Sequence, residues 1–464
     1  MAATMRDIRG EVVTAASGDV ARLYDEVVEG YLGARAETRT RLQAVLRADP
    51  DFALAHCLDG YLSMLASSRE STRQARGALG RACQAASRRL PSSREARHID
   101  SLDAWSRGDM RGAVTRWSAI LAEHPRDIIA IKVSQFVLSY LGESERMCDA
   151  VGSVMPSWNE GVPGYGFLLG CYAYGLEEAG DYKRAEELGR RAVDLNPADI
   201  WAAHAVAHVA EMQGRLHDGL SFISSTVDRW GECNSFARHL RWHEGLFHLD
   251  LDRHDRVLEL YDREVRDQPS DEYLDIANAV SLLWRLEQAE VDVGARWREL
   301  AERGRRHTDD HALVFVDLHY LMALAAEGDS AAVEQFLASC EQFALTGVGS
   351  EAAVMADVGL PLARAVWAHR RGRHDDVVAQ LAPVRRAIRR IGGSHAQRDV
   401  FEQLLIDSAW RGRHYDLATD LLAERTARRP RNIWGWKHYA AVLAATHAGR
   451  AAEAARTLDR LREA

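Results

Sequence analysis

LGCYAYGLEEAGDYKRAEELGRRAVDLNP, residues 169–197, is the stretch whose reading decides the fold. Apolar and small residues recur at helical spacing on both sides of Gly180-Asp181-Tyr182, and Pro197 closes the segment. Side chains three and four apart share one helix face, so the pattern predicts two helices joined by a tight turn. Ala185 and Ala192 put small side chains where the second helix meets the first, which lets the two backbones approach. Pro197 then marks the start of another helix, where its missing N–H would find no partner anyway.

The same punctuation extends outward. RADPDFALAH at Pro50, RRLPSSREAR at Pro91, AEHPRDIIAI at Pro125 and DLNPADIWAA at Pro197 each end one helix and open the next. Half a unit earlier come turns, at SRGDMRGAV around Gly108 and EMQGRLHDGL around Gly214. Beyond Pro197 the turn returns in LDRHDRV ending at Val257, RRGRHDDV around Asp375 and WRGRHYDL around Tyr415. Residues 169–197 match the tetratricopeptide pattern of paired helices. The unit ending at Pro125 keeps Gly108 and Ala113 but has Ile120 for the second alanine.

No segment shows sustained apolar alternation, so the expectation is all-α. Residues 1–464 are read as one continuous, tightly curved, right-handed α-solenoid of divergent tetratricopeptide-like hairpins. Each hairpin buries its apolar face against its neighbours. If the array has a seam, the turn Trp230–Asn234 is its place. Helices are predicted at, among others, 199–213, 233–249, 309–327, 374–390 and 395–411.

Composition narrows the function classes. Hydrophobic residues make up 47% and charged residues 27% of 464, as in a folded soluble chain. The net charge of -9 comes from interspersed acids and bases with no basic block, so neither nucleic acid nor a membrane surface is an expected partner. The first twenty residues lack a secretory pattern and no run of about 18 apolar residues follows, so a cytoplasmic protein is expected. Six cysteines are scattered without a CxxC pair and read as small buried fillers. No dinucleotide loop, GK[ST] or GxSxG is present, so no nucleotide cofactor is expected.

HAVAHVAEM from His204, HLRWH from His239, DDHALVFVDLHYLMA from Asp309, DVGLPL from Asp357 and GGSHAQRDVFEQLL from Gly392 together resemble the tetratricopeptide repeat protein 38 family. The resemblance runs through most of the chain and implies a soluble array of divergent hairpins. It brings no catalytic residues with it. Members carry a further His where this chain has Ala210.

The residues with chemical promise lie in two of these blocks. His204, His208 and Glu211 stand four and three apart, and His239 and His243 stand four apart with Trp242 between them. In a tetratricopeptide array the first helix of each hairpin lines the inner groove. Assigning 199–213, 233–249 and 309–327 to such helices places His204, His208, His239, His243, Asp310 and His311 on one inner wall. Asp317 and His319 lie further along the third helix, and Trp242 is a candidate ligand wall. Imidazole transfers protons near neutral pH, and a neighbouring carboxylate sets its tautomer. The expected function is therefore an acid–base enzyme or binding protein for a small polar molecule, with isomerase, epimerase, lyase and hydrolase chemistry all compatible.

The four imidazoles, with Glu211 one turn from His208, could also hold a divalent metal. HExxH is absent because Ala205 follows His204. In GGSHAQRDVF, residues 392–401, Ser394 and Gln397 read as a capping box. The helix it opens, with Gln397, Arg398 and Asp399 in its first turn, could hold a carboxylate or phosphate oxygen. The rival reading is a non-catalytic scaffold that takes a peptide or a partner protein in its groove, and a homo-oligomer is compatible with either reading. Such a groove would be open and lined by Asn, Lys and Arg; the only lysines are Lys132, Lys183 and Lys437. Their absence from the central helices disfavours capture of acidic peptide tails.

Overall fold

The computed structural model describes residues 5–463. A small antiparallel pair, β1 (Met5–Arg6) and β2 (Val12–Val13), precedes the helices. The first eight helices are α1 (Gly18–Leu32), α2 (Thr38–Ala48), α3 (Ala53–Met64), α4 (Arg69–Arg88), α5 (Ser93–Ser106), α6 (Met110–Glu123), α7 (Ile128–Tyr140) and α8 (Ser144–Val154). Then come α9 (Tyr165–Glu178), α10 (Tyr182–Leu195), α11 (Ile200–Met212), α12 (Leu216–Thr226), α13 (Phe236–Asp250), α14 (His254–Leu260), α15 (Tyr273–Gln288) and α16 (Arg296–Arg306). The last nine are α17 (Val314–Glu327), α18 (Ser330–Thr346), α19 (Ser350–Val354), α20 (Leu360–Arg370), α21 (His374–Leu381), α22 (His395–Arg411), α23 (Tyr415–Arg428), α24 (Ile433–Thr446) and α25 (Ala448–Glu463).

The chain is an all-α solenoid of antiparallel helix hairpins, as the sequence predicts. A backbone with positive φ recurs at the turn inside successive hairpins: Ala34, Ser67, Gly108, Gly142, Gly180, Gly214, Asp252, Glu290, Gly328, Gly372 and Arg413. That left-handed residue ends the first helix and aims the chain back along it. The first helices α7, α9, α11 and α17 are buried on nearly every face, whereas α10 and α16 keep a polar outer side. The first helices therefore form the inner layer and the second helices the outer.

Two predicted helices are shorter than expected. The 374–390 segment leaves the α-helix after Leu381 because Pro383 lacks the N–H that would continue it, and Arg385–Ile391 closes as a 3-10 helix. The 309–327 segment becomes helical only at Val314. His311 adopts a left-handed φ of 47° and Leu313 is extended, so residues 309–313 form a turn. The first N–H of α17 is met from outside its own chain segment, Val314 donating to Glu351 at 2.8 Å. Among the cysteines, Cys57, Cys171 and Cys340 are buried as expected, but Cys83 is exposed.

The solenoid closes on itself. The loop at Ala34–Ala36 exchanges backbone hydrogen bonds with Glu232 and Asn234, which ties the expected seam to the first hairpin. Ser350 donates to the Gly108 carbonyl, and Gly142 lies against Arg389 so closely that a Cβ would strike the carbonyl. His395 donates its backbone N–H to Glu178, Gly214 abuts Arg431, and Asp250 accepts from Asn432 and Trp434. Turns of one coil thus rest on loops of the next. Among the described residues no single helix is long and apolar enough to cross a membrane.

Candidate functional site

Helices α9, α11, α13 and α15 stand side by side in the inner layer. Asp199 caps α11 by accepting from Ala202, which fixes where its three-turn face begins. From there the i,i+4 spacing stacks His204 over His208, and α13 offers His239 and His243 at the same height. The four rings meet. Centroids lie 4.3 Å apart for His204 and His208, 4.5 Å for His208 and His243, and 4.9 Å for His204 and His239. One ring nitrogen from each lies within 4.8 Å of one from every other.

The cluster is sealed: the four residues are between 0% and 3% exposed. Trp242 stacks on His239 at 5.2 Å, Trp201 and Phe236 pack on His204 at 5.3 and 5.1 Å, and Tyr174 covers His204 and His208. Behind the rings lie polar partners. His239 Nδ1–H donates to Asn278 Oδ1 at 3.0 Å, and His243 Nδ1–H to Glu211 Oε2 at 2.7 Å. His208 Nδ1 lies 3.3 Å from Glu177 Oε2, within ion-pairing range but outside hydrogen-bond geometry. Across the centre His204 Nε2 and His239 Nε2 are 3.0 Å apart.

Burial holds His204, His239 and His243 well below the ordinary imidazole range, and the neighbouring imidazoles depress them further. His208 is the exception. Burial is the strongest single influence and pulls it down, but the carboxylates of Glu177, Glu211 and Glu178 together raise it. Burial raises Glu211.

Two cavities flank this belt. At the N-terminal ends of α11, α13 and α15 a chamber of about 850 Å³ is lined by Tyr31, Lys132, Phe136, Tyr140, Trp201, Phe236 and Tyr273, with Arg35, Arg39 and Arg306 nearer its rim. At their C-terminal ends a cavity of about 360 Å³ is lined by Glu211, Arg285, Gln288, Asp399, Arg425, Arg429 and Trp434. Arg285 spans from the belt to α22, its guanidinium donating to the Ser281 and Ala396 carbonyls, and burial lowers it to about 10.

The other predicted site residues lie elsewhere. Asp310 and His311 precede α17 and do not share the inner wall. Asp310 pairs with His307 at 2.7 Å, and His311 sits between Asp317 at 3.1 Å and Ser339 at 2.9 Å. The reason is the turn at 309–313, which takes both off the helix face assumed for them. His319 donates Nδ1–H to the Phe315 carbonyl at 2.7 Å, and burial lowers it to about 4. Trp242 is packed, donating Nε1–H to Ser281 at 2.9 Å, and so forms no ligand wall.

The capping box at Ser394 and Gln397 is present. The anion at that helix start, however, is the chain's own Glu178, which accepts from the His395 N–H at 2.8 Å and from Arg398 at 3.2 Å. Arg398 is therefore a closure contact of the coil and not a ligand group. Asp399 takes a bidentate grip from Arg425 at 2.6 and 2.9 Å, and although burial opposes it, that charge holds the carboxyl well below its usual range.

Sequence reasoning missed Asn278, Glu177 and Lys132. Asn278 had a signal, being a lone amide in the apolar run IANAVSLLW. Lys132 comes from α7, outside the central helices, yet it reaches the chamber they border.

No family model matches the chain. Solved structures that align over its length include the anaphase-promoting complex hetero-tetramer Cut9–Hcn1, at 11% identity and a TM-score of 0.37, covering 95% of this chain and 94% of that one. Human IFIT1 bound to m7Gppp-AAAA aligns at 13% identity with a TM-score of 0.38, covering 97% and 95%. The tetratricopeptide domain of P58(IPK) aligns at 14% with a TM-score of 0.22, covering 80% and 97%. The fold assignment rests on this chain's own helices and turns.

Proposed function

We propose that this chain is a non-catalytic tetratricopeptide-like scaffold of the cytoplasm, and that the 850 Å³ chamber receives a peptide segment of a partner protein through a carboxylate. The resemblance to the tetratricopeptide repeat protein 38 family belongs to this reading. The observation that carries it is Lys132. Its ammonium lies 3.5 Å from the Trp201 ring centroid and 5.1 Å from that of Phe136. Lys132 is 4% exposed, burial lowers its basicity, and among the described residues no carboxylate forms an ion pair with it. Asp199, whose charge reaches it, is itself pushed up to about 7 by burial.

A buried ammonium without an anion is costly, and aromatic faces offset only part of that. An incoming carboxylate would supply the missing charge, with Tyr31, Phe136 and Phe236 enclosing the residues beside it. The acid–base reading is weaker, because the imidazoles are closed to a substrate and the His–Asp pairs expected to face one another lie apart. A small organic acid in the same chamber is the second reading, favoured by a volume in the range of about 300–1,000 Å³ usual for small-ligand sites.

Selection of the purified full chain against peptide libraries with free and with amidated C-termini tests this. Binders should weaken at least about tenfold in Lys132→Gln, the loss of one charge-assisted contact. Binders indifferent to that substitution would overturn the proposal, and a thermal shift given only by small carboxylic acids would move it to the second reading.

A further inference from the structure

We infer that His204, His208, His239 and His243 form a closed structural site for one divalent transition-metal ion of the zinc class. This goes beyond the chamber reading and shares no residue with its anchor. Each of the four helix positions delivers a ring nitrogen into a space no more than 4.8 Å across. Nitrogens around a tetrahedral zinc at about 2.0–2.1 Å stand about 3.3–3.4 Å apart, so the rings need to close by little. The 3.0 Å between His204 Nε2 and His239 Nε2 is already of that order.

The tautomers fit. In histidine metal sites the nitrogen away from the ion donates to a carboxylate or an amide, which turns the other lone pair inward. Here Asn278 takes the Nδ1–H of His239 and Glu211 that of His243, while Glu177 stands behind His208. Of the inward nitrogens, His239 Nε2 meets His204 Nε2 at 3.0 Å, so one of that pair carries the hydrogen, while those of His208 and His243 meet no donor. His204 Nδ1, His208 Nε2 and His243 Nε2 are buried with no hydrogen-bond partner among the protein's groups, as are both oxygens of Glu177.

The unmet lone pairs of His208 and His243 and the two bare Glu177 oxygens would be costly in one sealed place without a cation among them. Nitrogen-only donors suit zinc, copper, nickel and iron, and a closed set of four marks a structural ion. Glu177 and Glu211 place two carboxylates against it, matching the charge of a dication.

The test uses untagged full-length protein, stripped with a chelator and titrated with zinc or cobalt(II). The expected result is uptake of about one ion per chain, intense visible absorption from four-coordinate cobalt, and a raised Tm. His243→Gln, with unchanged helical circular dichroism, should lose at least nine-tenths of that uptake, whereas Lys132→Gln should keep it. Absence of stoichiometric uptake by the wild type, or uptake unchanged in His243→Gln, would overturn the inference. If His243→Gln does not fold, the wild-type cobalt spectrum decides: only the pale absorption of six-coordinate cobalt would overturn it.

Discussion

His204, His239 and His243 are buried as neutral rings, and that state makes the fold sensitive to acid. Their folded-state values lie below the unfolded value of about 6.5, so the unfolded chain binds more protons under acid conditions. Their contribution is complete above about pH 6.5 and is lost as pH falls through the folded values. His208 has the opposite sign, because Glu177 raises it, but it is one ring against three. Between pH 7 and 5 in metal-free buffer, Tm should therefore fall further in the wild type than in His239→Gln, a comparison in which the opposing buried carboxyls such as Asp199 and Glu211 cancel, and an equal fall in both would contradict the neutral-ring assignment. The cluster itself was legible, since i,i+4 spacing on a helix fixes a shared face whatever the surroundings. Asp310 and His311 were misplaced because a left-handed residue before α17 has no signature when that residue is histidine.

Hairpins repeat through their turns, and here glycine is an incomplete guide. Gly108, Gly180 and Gly214 stood out in the sequence, and the turns holding Asp252 and Arg413 were read from LDRHDRV and WRGRHYDL, but Glu290 occupies the same left-handed position without announcing it. Side chains pay about 1–2 kcal/mol there, because Cβ crowds the next carbonyl. Arg413 is exposed and has a φ of 60°. Replacing it with glycine relieves the crowding, while the greater freedom of glycine in the unfolded chain takes part of the gain back. Arg413→Gly should raise stability by about 0.5–1 kcal/mol in urea unfolding, and a loss would show that the arginine does more than fill a turn. Asp109, Asp127, Asp181, Asp199 and Asp329 each cap a helix by accepting from the backbone N–H three residues on.

Across the whole molecule the deciding interactions join residues about two hundred or more positions apart, and no local pattern encodes them. The tightly curved array was expected from the run of divergent hairpins. That Glu178 would supply the anion for the helix start at Ser394 was not, because both ends of that contact looked complete on their own. Gly142 shows how close the coils run. It combines a φ of 66° with a position where any Cβ meets the Arg389 carbonyl. Gly142→Ala should destabilise the chain by about 2–3 kcal/mol, read as a lower midpoint in denaturant. Unaltered stability would mean that the coils can part there without loss.

The laddering of early turns onto late loops also bears on how the chain is made. A ribosome releases the hairpin turns at Gly108, Gly142 and Gly214 with their edges bare, and the groups that cover them, at Ser350, Arg389 and Arg431, emerge about two hundred residues later. Contacts that span so much chain form slowly. The nascent protein thus passes through a half-built ring, and a premature stop before Ser350 would leave the turns at Gly108, Gly142 and Gly214 uncovered.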